Sequence, residues 1–251
     1  MPGSDSDAGS KPVALVTGAA GGIGRAVSER LRSDGYGVLD VDLEAGDDGF
    51  AVDLTTREGN KGAVDEALER FGRLDVIVAN AGVQHVSAVA EFPEDKWDLL
   101  ISLMLTSPFL LARYGWEALG KAPDGGRFIA IASAHALAAS PYKSAYVSAK
   151  HGVLGLVKTL ALEGAEQGTL ATAVCPAFVR TPLVEKQIAD QAKAHGISED
   201  EVLEQVILAP HAVKRLIEPS EVADTVAFLA GPGGATFTGV PVTMDLGWTA
   251  R

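Results

Sequence analysis

Residues 13–24 read VALVTGAAGGIG, a short apolar run that passes directly into a glycine-rich turn, and from 23 to 33 apolar positions recur at helical spacing. A strand with no polar face must be covered on both sides, which is the situation inside a parallel sheet. Gly18, Gly22 and Gly24 let the backbone turn tightly and let the following helix pack close to the strand it leaves. A helix starting there points free N–H groups and a positive partial charge at the turn, a place suited to an anion.

Working outward, similar apolar runs at 38–41, 76–79, 128–132, 171–175 and 240–244 alternate with helical patterns at 60–71, 97–116, 145–164 and 219–229. Strands alternating with helices predict an α/β fold, a single doubly wound parallel sheet of the Rossmann-like kind. Pro219, Ser220 and Glu221 are good chemistry for a helix start. Only ten residues separate Asp42 from Asp53, too few for a crossover helix, so that sheet edge is expected to be trimmed and covered by a short loop. The polar stretch at about 181–216 predicts two short helices and no strand, a small helical lid inserted late in the chain. Residues 1–10 read as a disordered tail, and 11–251 as one domain.

The net charge of −12 disfavours nucleic acid and an anionic membrane as partners, while leaving room for an anionic small molecule in a locally basic pocket. No apolar run approaches the roughly 20 residues that span a bilayer, and MPGSDSDAGS lacks the features of a secretory signal. A soluble, cytoplasmic protein is expected. The lone Cys175 rules out an internal disulfide, fits a reducing compartment, and reads as a small buried hydrophobe at a strand end. No metal is expected.

The residues around the turn point to a dinucleotide. Asp42 stands at the end of the second strand, eighteen residues past Gly24, where a carboxylate accepts hydrogen bonds from an adenine ribose and repels a 2′-phosphate, so NAD is expected over NADP. No arginine lies between Gly18 and Gly24 to receive that phosphate. The spacing T-G-x-x-x-G-x-G at 17–24, together with Asn80, Ala81 and Gly82 after a later strand and Asp53 and Leu54 near the adenine side, resembles the short-chain dehydrogenase/reductase family from about Lys11 onward. The resemblance implies that Gly18, Gly22, Ile23, Gly24, Asp42, Asp53, Leu54, Asn80, Ala81, Gly82, Tyr146, Lys150, Pro176 and Thr181 contact the cofactor, Thr181 at the nicotinamide amide.

Tyr146 and Lys150 are four apart and share a helix face, and Ser133 lies thirteen residues upstream at a strand end, the catalytic spacing of that family. A tyrosine acting as a base near neutrality needs its pKa lowered by about two to three units, and the Lys150 ammonium and an oxidised nicotinamide are the expected sources of positive charge. Ser133 would hold the substrate oxygen. The family usually has asparagine seven residues after the tryptophan of the W-D helix, where it seats a water chain to the lysine; here that position is Met104. Ala177 stands where glycine is usual.

Several stretches are similar to the 3-hydroxybutyrate dehydrogenase branch: GVQHV at 82–86, ASAH at 132–135, YKSAY at 142–146, TPLVEKQI at 181–188 and DLGWTA at 245–250. That likeness implies that Gln84, His135, Lys143 and Gln187 grip a substrate carboxylate and that Trp248 packs on its methyl end, with Phe178 where tryptophan is usual. A cation, an imidazole and amides facing one aromatic wall form a minimal pocket for a short hydroxy acid. Three readings stay open at this point: a 3-hydroxy acid dehydrogenase, a dehydrogenase of a neutral alcohol or carrier-bound 3-keto ester, and a catalytically weak NAD-binding protein. The family resemblance also implies a homotetramer, assembled through the helices at 97–116 and 145–164.

Overall fold

A computed structural model describes residues 11–250; the expected tail at 1–10 lies outside the described residues. The strands β1 (Val13–Thr17), β2 (Gly37–Asp42), β3 (Phe50–Ala51), β4 (Val76–Ala79), β5 (Arg127–Ile131), β6 (Leu170–Pro176) and β7 (Pro241–Met244) form one sheet in the order β3-β2-β1-β4-β5-β6-β7. Every neighbouring pair is parallel, with Leu15 in register with Leu39 on one side and Ile77 on the other. The chain leaves β1 in one direction for β2 and β3 and in the other for β4 onward, so a crevice opens where the order reverses, at the carboxyl ends of β1 and β4.

Both sheet faces are covered. Ala14, Val16, Val38, Val78, Ile129 and Ile131 pack beneath α1 (Gly22–Ser33) and α8 (Pro219–Ala230), through Val27, Leu31, Val222 and Val226. Leu15, Leu39, Ile77 and Phe128 face α2 (Arg57–Phe71), α4 (Ser107–Gly120) and α5 (Ser144–Gly164), through Val64, Leu111, Val157 and Leu160. This two-sided burial is why the strands read as uninterrupted apolar runs. Phe128 is fully buried at the centre of the second layer, and truncating it to alanine is worth about 3–5 kcal/mol.

Two expectations are refined. The edge beyond β2 is trimmed as expected, with a loop at 43–49 in place of a helix, yet Phe50 and Ala51 still pair with Val41 and Asp42, a seventh strand too short to read as an apolar run. The helix expected at 97–116 runs from Glu94 to Gly120 and is interrupted: α3 (Glu94–Ile101) passes through a π-turn at Ser102–Thr106 before α4. Ser102 donates its hydroxyl back to the Asp98 carbonyl at 2.6 Å, and Pro108 has no N–H for the carbonyl of Met104, so the regular ladder fails from both ends.

By length and composition this helix is apolar enough to cross a bilayer, which corrects the expectation that no stretch approaches that size. Its apolar positions are interspersed with polar ones. Leu100, Met104, Leu110, Leu111 and Leu119 are buried against the rest of the fold.

The late insertion forms α6 (Pro182–His195) and α7 (Glu199–Val202), the latter continuing into a π-turn at Leu203–Ile207. Thr181 and Ser198 cap the two helices, accepting hydrogen bonds from Val184 and Glu201. Val184, Ile188, Val202, Ile207 and Leu216 give the insertion its own small core, and a parallel bridge between Val179 and Ile217 closes its base.

Candidate active site

The glycine turn after β1 is built so that a side chain at two of its positions would collide with backbone. A Cβ on Gly24 would lie 2.0 Å from the Gly18 carbonyl oxygen, and one on Gly18, which has φ +67°, would lie 2.9 Å from the Ala81 Cα. α1 begins at Gly22 with no side-chain cap and no acidic residue in its first turn, so its N–H groups are open to a phosphate. Beneath this turn lies a cavity of about 510 Å³ lined by Gly18, Gly22, Ile23, Asp42, Asp53, Leu54, Asn80, Ala81, Gly82, Tyr146, Lys150, Pro176 and Thr181. Thus of the fourteen residues expected at a dinucleotide, all but Gly24 line one crevice, and Gly24 shapes it. The cradle fits the shape and charge of a dinucleotide.

Within the crevice the polar groups are already oriented. The two Asp42 carboxylate oxygens accept hydrogen bonds from the Ala20 amide at 2.9 Å and the Leu43 amide at 2.7 Å, which lock the side chain at the rim. One Asp53 oxygen accepts from the Thr55 amide and hydroxyl at 2.8 and 2.7 Å. Asn80 serves the loop: its side-chain amide donates to the carbonyls of Thr17 at 2.8 Å and Gly18 at 3.2 Å. Thr17 is fully buried and its hydroxyl accepts from the amides of Asn80 and Ala81, so β1 and β4 are held together at the crevice floor.

The catalytic set converges at the inner end. Ser133, at the tip of β5, caps the turn Ala134–Ala136 by accepting from the His135 amide at 3.1 Å, and its hydroxyl reaches the Pro176 carbonyl at 3.4 Å. Tyr146 and Lys150 project from one face of α5. The Lys150 ammonium donates to the Ile131 carbonyl at 2.8 Å and lies 5.6 Å from the centre of the Tyr146 ring.

Burial raises the Tyr146 phenol above its ordinary value of 10, and a hydrogen bond with Ser133 partly opposes this. Burial also pushes the Lys150 ammonium down to about 8. The expected lowering of Tyr146 by Lys150 is therefore not a property of the protein alone. The ammonium is turned to a carbonyl, and the phenol sits among apolar groups that disfavour its anion.

A second cavity, of about 60 Å³, adjoins Tyr146 and Ser133 and is lined by Gln84, His135, Lys143, Phe178 and Gln187. Five of the six expected substrate contacts therefore share one small chamber. The sixth, Trp248, stands behind it, 4.9 Å centre to centre from the His135 ring and stacked on Phe178 at 6.2 Å. His135 is held by Ser140 at 2.9 Å, and burial, aided by the nearby Lys143 cation, pushes its imidazole down to about 3, so it is neutral. Lys143 is only 9 % exposed, and its ammonium makes no hydrogen bond or ion pair with any described residue; burial pushes it down to about 8. The side-chain carbonyl oxygens of Gln84 and Gln187 are also buried without partners. Unpaired polar groups of this kind are costly and rare in a finished core.

A family model described as short chain dehydrogenase matches residues 12–192, which covers the glycine turn, the serine and the tyrosine–lysine pair. The chain belongs to the short-chain dehydrogenase family. It is 42 % identical to a D-beta-hydroxybutyrate dehydrogenase of Rhizobium meliloti, across 95 % of this chain and 98 % of that one. A protein of the same description from Cupriavidus necator is 37 % identical over 95 % of this chain and 98 % of its own length. Among solved structures, the ligand-free aldohexose dehydrogenase of Thermoplasma acidophilum superposes with a TM-score of 0.88 at 30 % identity, covering 96 % of this chain and 95 % of that one. This short-chain dehydrogenase is therefore an oxidoreductase that works with a nicotinamide cofactor on a small molecule.

Sequence reasoning missed three features of the dehydrogenase's substrate end. His211 is buried and stacks on Trp248 at 6.0 Å and near Phe178 at 5.9 Å, with neither ring nitrogen in a well-formed hydrogen bond. Burial lowers its pKa against the pull of the Ile207 carbonyl and Asp245. Its only sequence signal is its place after Pro210 in a stretch that reads as polar lid.

Tyr142 and Leu246 adopt left-handed backbone, φ +67° and +53°, and are the non-glycine residues that do so among the described residues. Tyr142 immediately precedes Lys143, and its carbonyl accepts the Ser87 amide at 2.9 Å, tying the loop of Gln84 to the lysine. Leu246 precedes Gly247 and Trp248, and its carbonyl accepts the amides of Ala212 and Val213. Met104 is buried inside the π-turn, with its sulfur 3.2 Å from where a Cβ on Gly82 would lie.

Proposed function

We propose that the protein is an NAD-dependent dehydrogenase that interconverts a short 3-hydroxy acid, 3-hydroxybutyrate, with its 3-keto acid. The observation that carries this reading is the small chamber beside Tyr146, in which the buried Lys143 ammonium has no counter-charge and the Gln84 and Gln187 amides have unspent hydrogen-bonding capacity. A carboxylate placed there accepts from the Lys143 ammonium and removes its desolvation cost, while the Gln84 and Gln187 oxygens are acceptors, so those amides join by turning their –NH2 groups to the ligand. The chamber holds only a few heavy atoms, which suits an acid with a short tail ending on Phe178. The likeness to the Rhizobium meliloti and Cupriavidus necator enzymes supports the same substrate.

In this reading Tyr146 takes the proton of the 3-hydroxyl and Ser133, which lines the same chamber, holds the same oxygen as the carbonyl forms. Neutral His135 fixes Ser133 from the far side without adding charge. Lys150 places a positive charge against the Tyr146 ring, stabilising the phenolate when it forms. Bound in the larger crevice, oxidised NAD supplies the hydride acceptor and a further positive charge. Asp42 at the rim supports NAD as the partner, because its fixed carboxylate suits a ribose 2′-hydroxyl. The exposed Phe109 on α4 and Leu162 on α5 support the homotetramer that the family resemblance implies, which light scattering in solution tests.

The test is an absorbance assay at 340 nm with NAD and a panel of both enantiomers of 3-hydroxybutyrate, longer 3-hydroxy acids and neutral secondary alcohols. Turnover confined to 3-hydroxy acids is the expected result. Equal turnover of neutral alcohols overturns the carboxylate chamber, and NAD binding without any turnover overturns the enzyme reading.

A further inference from the structure

Phe178 occupies a wall of the substrate chamber, and its ring does something that a plain apolar wall would not. The Lys143 ammonium lies over its face, 5.1 Å from the ring centre. We propose that Phe178 is a positioning residue, the resident partner that keeps the Lys143 ammonium charged and aimed into the chamber before an anionic ligand arrives.

The titratable groups that face Lys143 are His135 from the turn after β5 and Tyr146 one turn along α5, with Lys150 a turn further and His211 behind the Phe178 ring. His135 is neutral, Tyr146 is a neutral phenol in the resting protein, and Lys150 repels rather than attracts. Gln84 and Gln187 are uncharged, and among the described residues no carboxylate pairs with Lys143. The negative face of an aromatic ring is then the stabilising group left to a buried ammonium, and the attraction grows as water is excluded. The ring itself cannot drift. It is stacked on Trp248 at 6.2 Å, meets His135 edge-on at 6.5 Å, and is backed by His211.

The arrangement also leaves the cation–ring contact easy to give up. A cation–ring contact gives up little when a carboxylate takes over, whereas a protein carboxylate in the same place would compete with the substrate. The wall thus solves a problem of charge as well as of shape. Burial pushes Lys143 down to about 8, so the fraction of protein carrying the charge changes within the range where such an enzyme works, and any loss of the ring's support lowers it further.

The proposal concerns the lysine whether or not 3-hydroxybutyrate is the substrate, and its test is arranged to keep the two apart. Competitive acetylation of the intact protein across pH, read by mass spectrometry, follows the titration of Lys143 directly. Phe178→Leu keeps an apolar wall without a π-face and is expected to lower the midpoint by about one pH unit; Phe178→Trp, a stronger ring, is expected to keep it or raise it. With a shift from about 8 to about 7, the charged fraction at pH 7.5 falls about threefold, so KM for 3-hydroxybutyrate rises about threefold there and is nearly unchanged at pH 6.

An unchanged midpoint in Phe178→Leu, or a drop of a unit in Phe178→Trp, overturns the proposal. A shifted midpoint in a protein that turns over no 3-hydroxy acid leaves the ring–lysine pair standing and removes the substrate assignment. Turnover of 3-hydroxy acids with an unmoved midpoint does the reverse.

Discussion

The replacement Asp42→Ala tests the cofactor assignment, and its effect can be worked from the rim of the crevice. Two unit charges about 4 Å apart near a protein surface interact by about 4 kcal/mol, and a 2′-phosphate carries about −1.5 to −2. Asp42 is partly exposed, so solvent and salt remove half or more of the repulsion and leave about 2–4 kcal/mol against NADP. A charged hydrogen bond to the 2′-hydroxyl of NAD contributes about 1.5–3 kcal/mol more. Taking the lower ends together, the wild-type protein prefers NAD by about 3–4 kcal/mol, which is about 10²–10³ in kcat/KM.

Removing the carboxylate does more than erase this preference. The Ala20 and Leu43 amides lose their acceptor, and on the other side of the Ala20 peptide the Arg25 guanidinium donates to the Ala20 carbonyl at 2.6 Å. Two freed donors and a nearby cation would then remain at the rim, so in Asp42→Ala the ratio of efficiencies with NAD and NADP is expected to fall to within about tenfold, mostly through gain with NADP. Initial rates at 340 nm with each cofactor, at fixed ionic strength, measure both ratios. Wild-type efficiencies within about threefold of each other refute the reasoning. So does an Asp42→Ala protein that loses activity with both cofactors while its ratio stays put, since Asp42 would then serve only to hold the loop.

Other perturbations have expected outcomes. Lys143→Met keeps the apolar stem and removes the charge; kcat/KM for 3-hydroxybutyrate should fall by 2–5 kcal/mol, about 30-fold or more, with a neutral secondary alcohol changed by less than about threefold. In the pH profile of kcat/KM for oxidation, the rate should climb as Tyr146 deprotonates, and for the hydroxy acid it should turn down above about pH 8, because Lys143 loses its charge as pH rises through that value. A neutral alcohol, which shares the Lys150 support of Tyr146 but not the Lys143 contact, should show the rising limb with a shallower fall. Tyr146→Phe should abolish turnover while NAD binding, followed by calorimetry, stays within about threefold. Met104→Asn inserts an amide into the π-turn; a several-fold gain in kcat would show that Met104 limits proton release, and the buried position predicts a loss of thermal stability in either case.

The features legible in the sequence were those with local, repeated chemistry. Glycines at 18, 22 and 24 can be read because a tight turn forbids side chains, and the apolar runs of β1, β4 and β5 can be read because both sheet faces are covered. The serine, tyrosine and lysine keep a spacing that a strand tip and one helix face impose. What resisted reading was long-range or exceptional. β3 is two residues long and owes its pairing to β2 alone. The π-turn arises from Ser102 and Pro108 acting on one ladder from opposite ends, and periodicity averages over both. Asn80 lines the crevice as read, but its bonds to the Thr17 and Gly18 carbonyls, which hold the turn, join residues more than sixty apart and follow no local pattern. His211 joins the aromatic wall only because the lid folds back onto the C-terminal loop, a contact no local pattern announces.

The unfavourable features of this molecule are not spread evenly, and their placement is itself an argument about the site. Of the side-chain atoms buried without partners, those of Gln84, Gln187 and His211 gather around one small chamber. The two left-handed non-glycine residues sit next to it, Tyr142 before Lys143 and Leu246 before the segment that carries Trp248, and such backbone costs about 1–3 kcal/mol at each position. Each strained carbonyl is held from across the chamber's rim, by the Ser87 amide on one side and the Ala212 and Val213 amides on the other. The backbone there is fixed by the fold before any ligand binds, so the polar groups do not have to be ordered by the substrate. A ligand whose carboxylate meets the Lys143 ammonium therefore gains from a contact whose ordering cost the protein has already met, which is how a chamber of this size can select an acid over a neutral alcohol of the same shape.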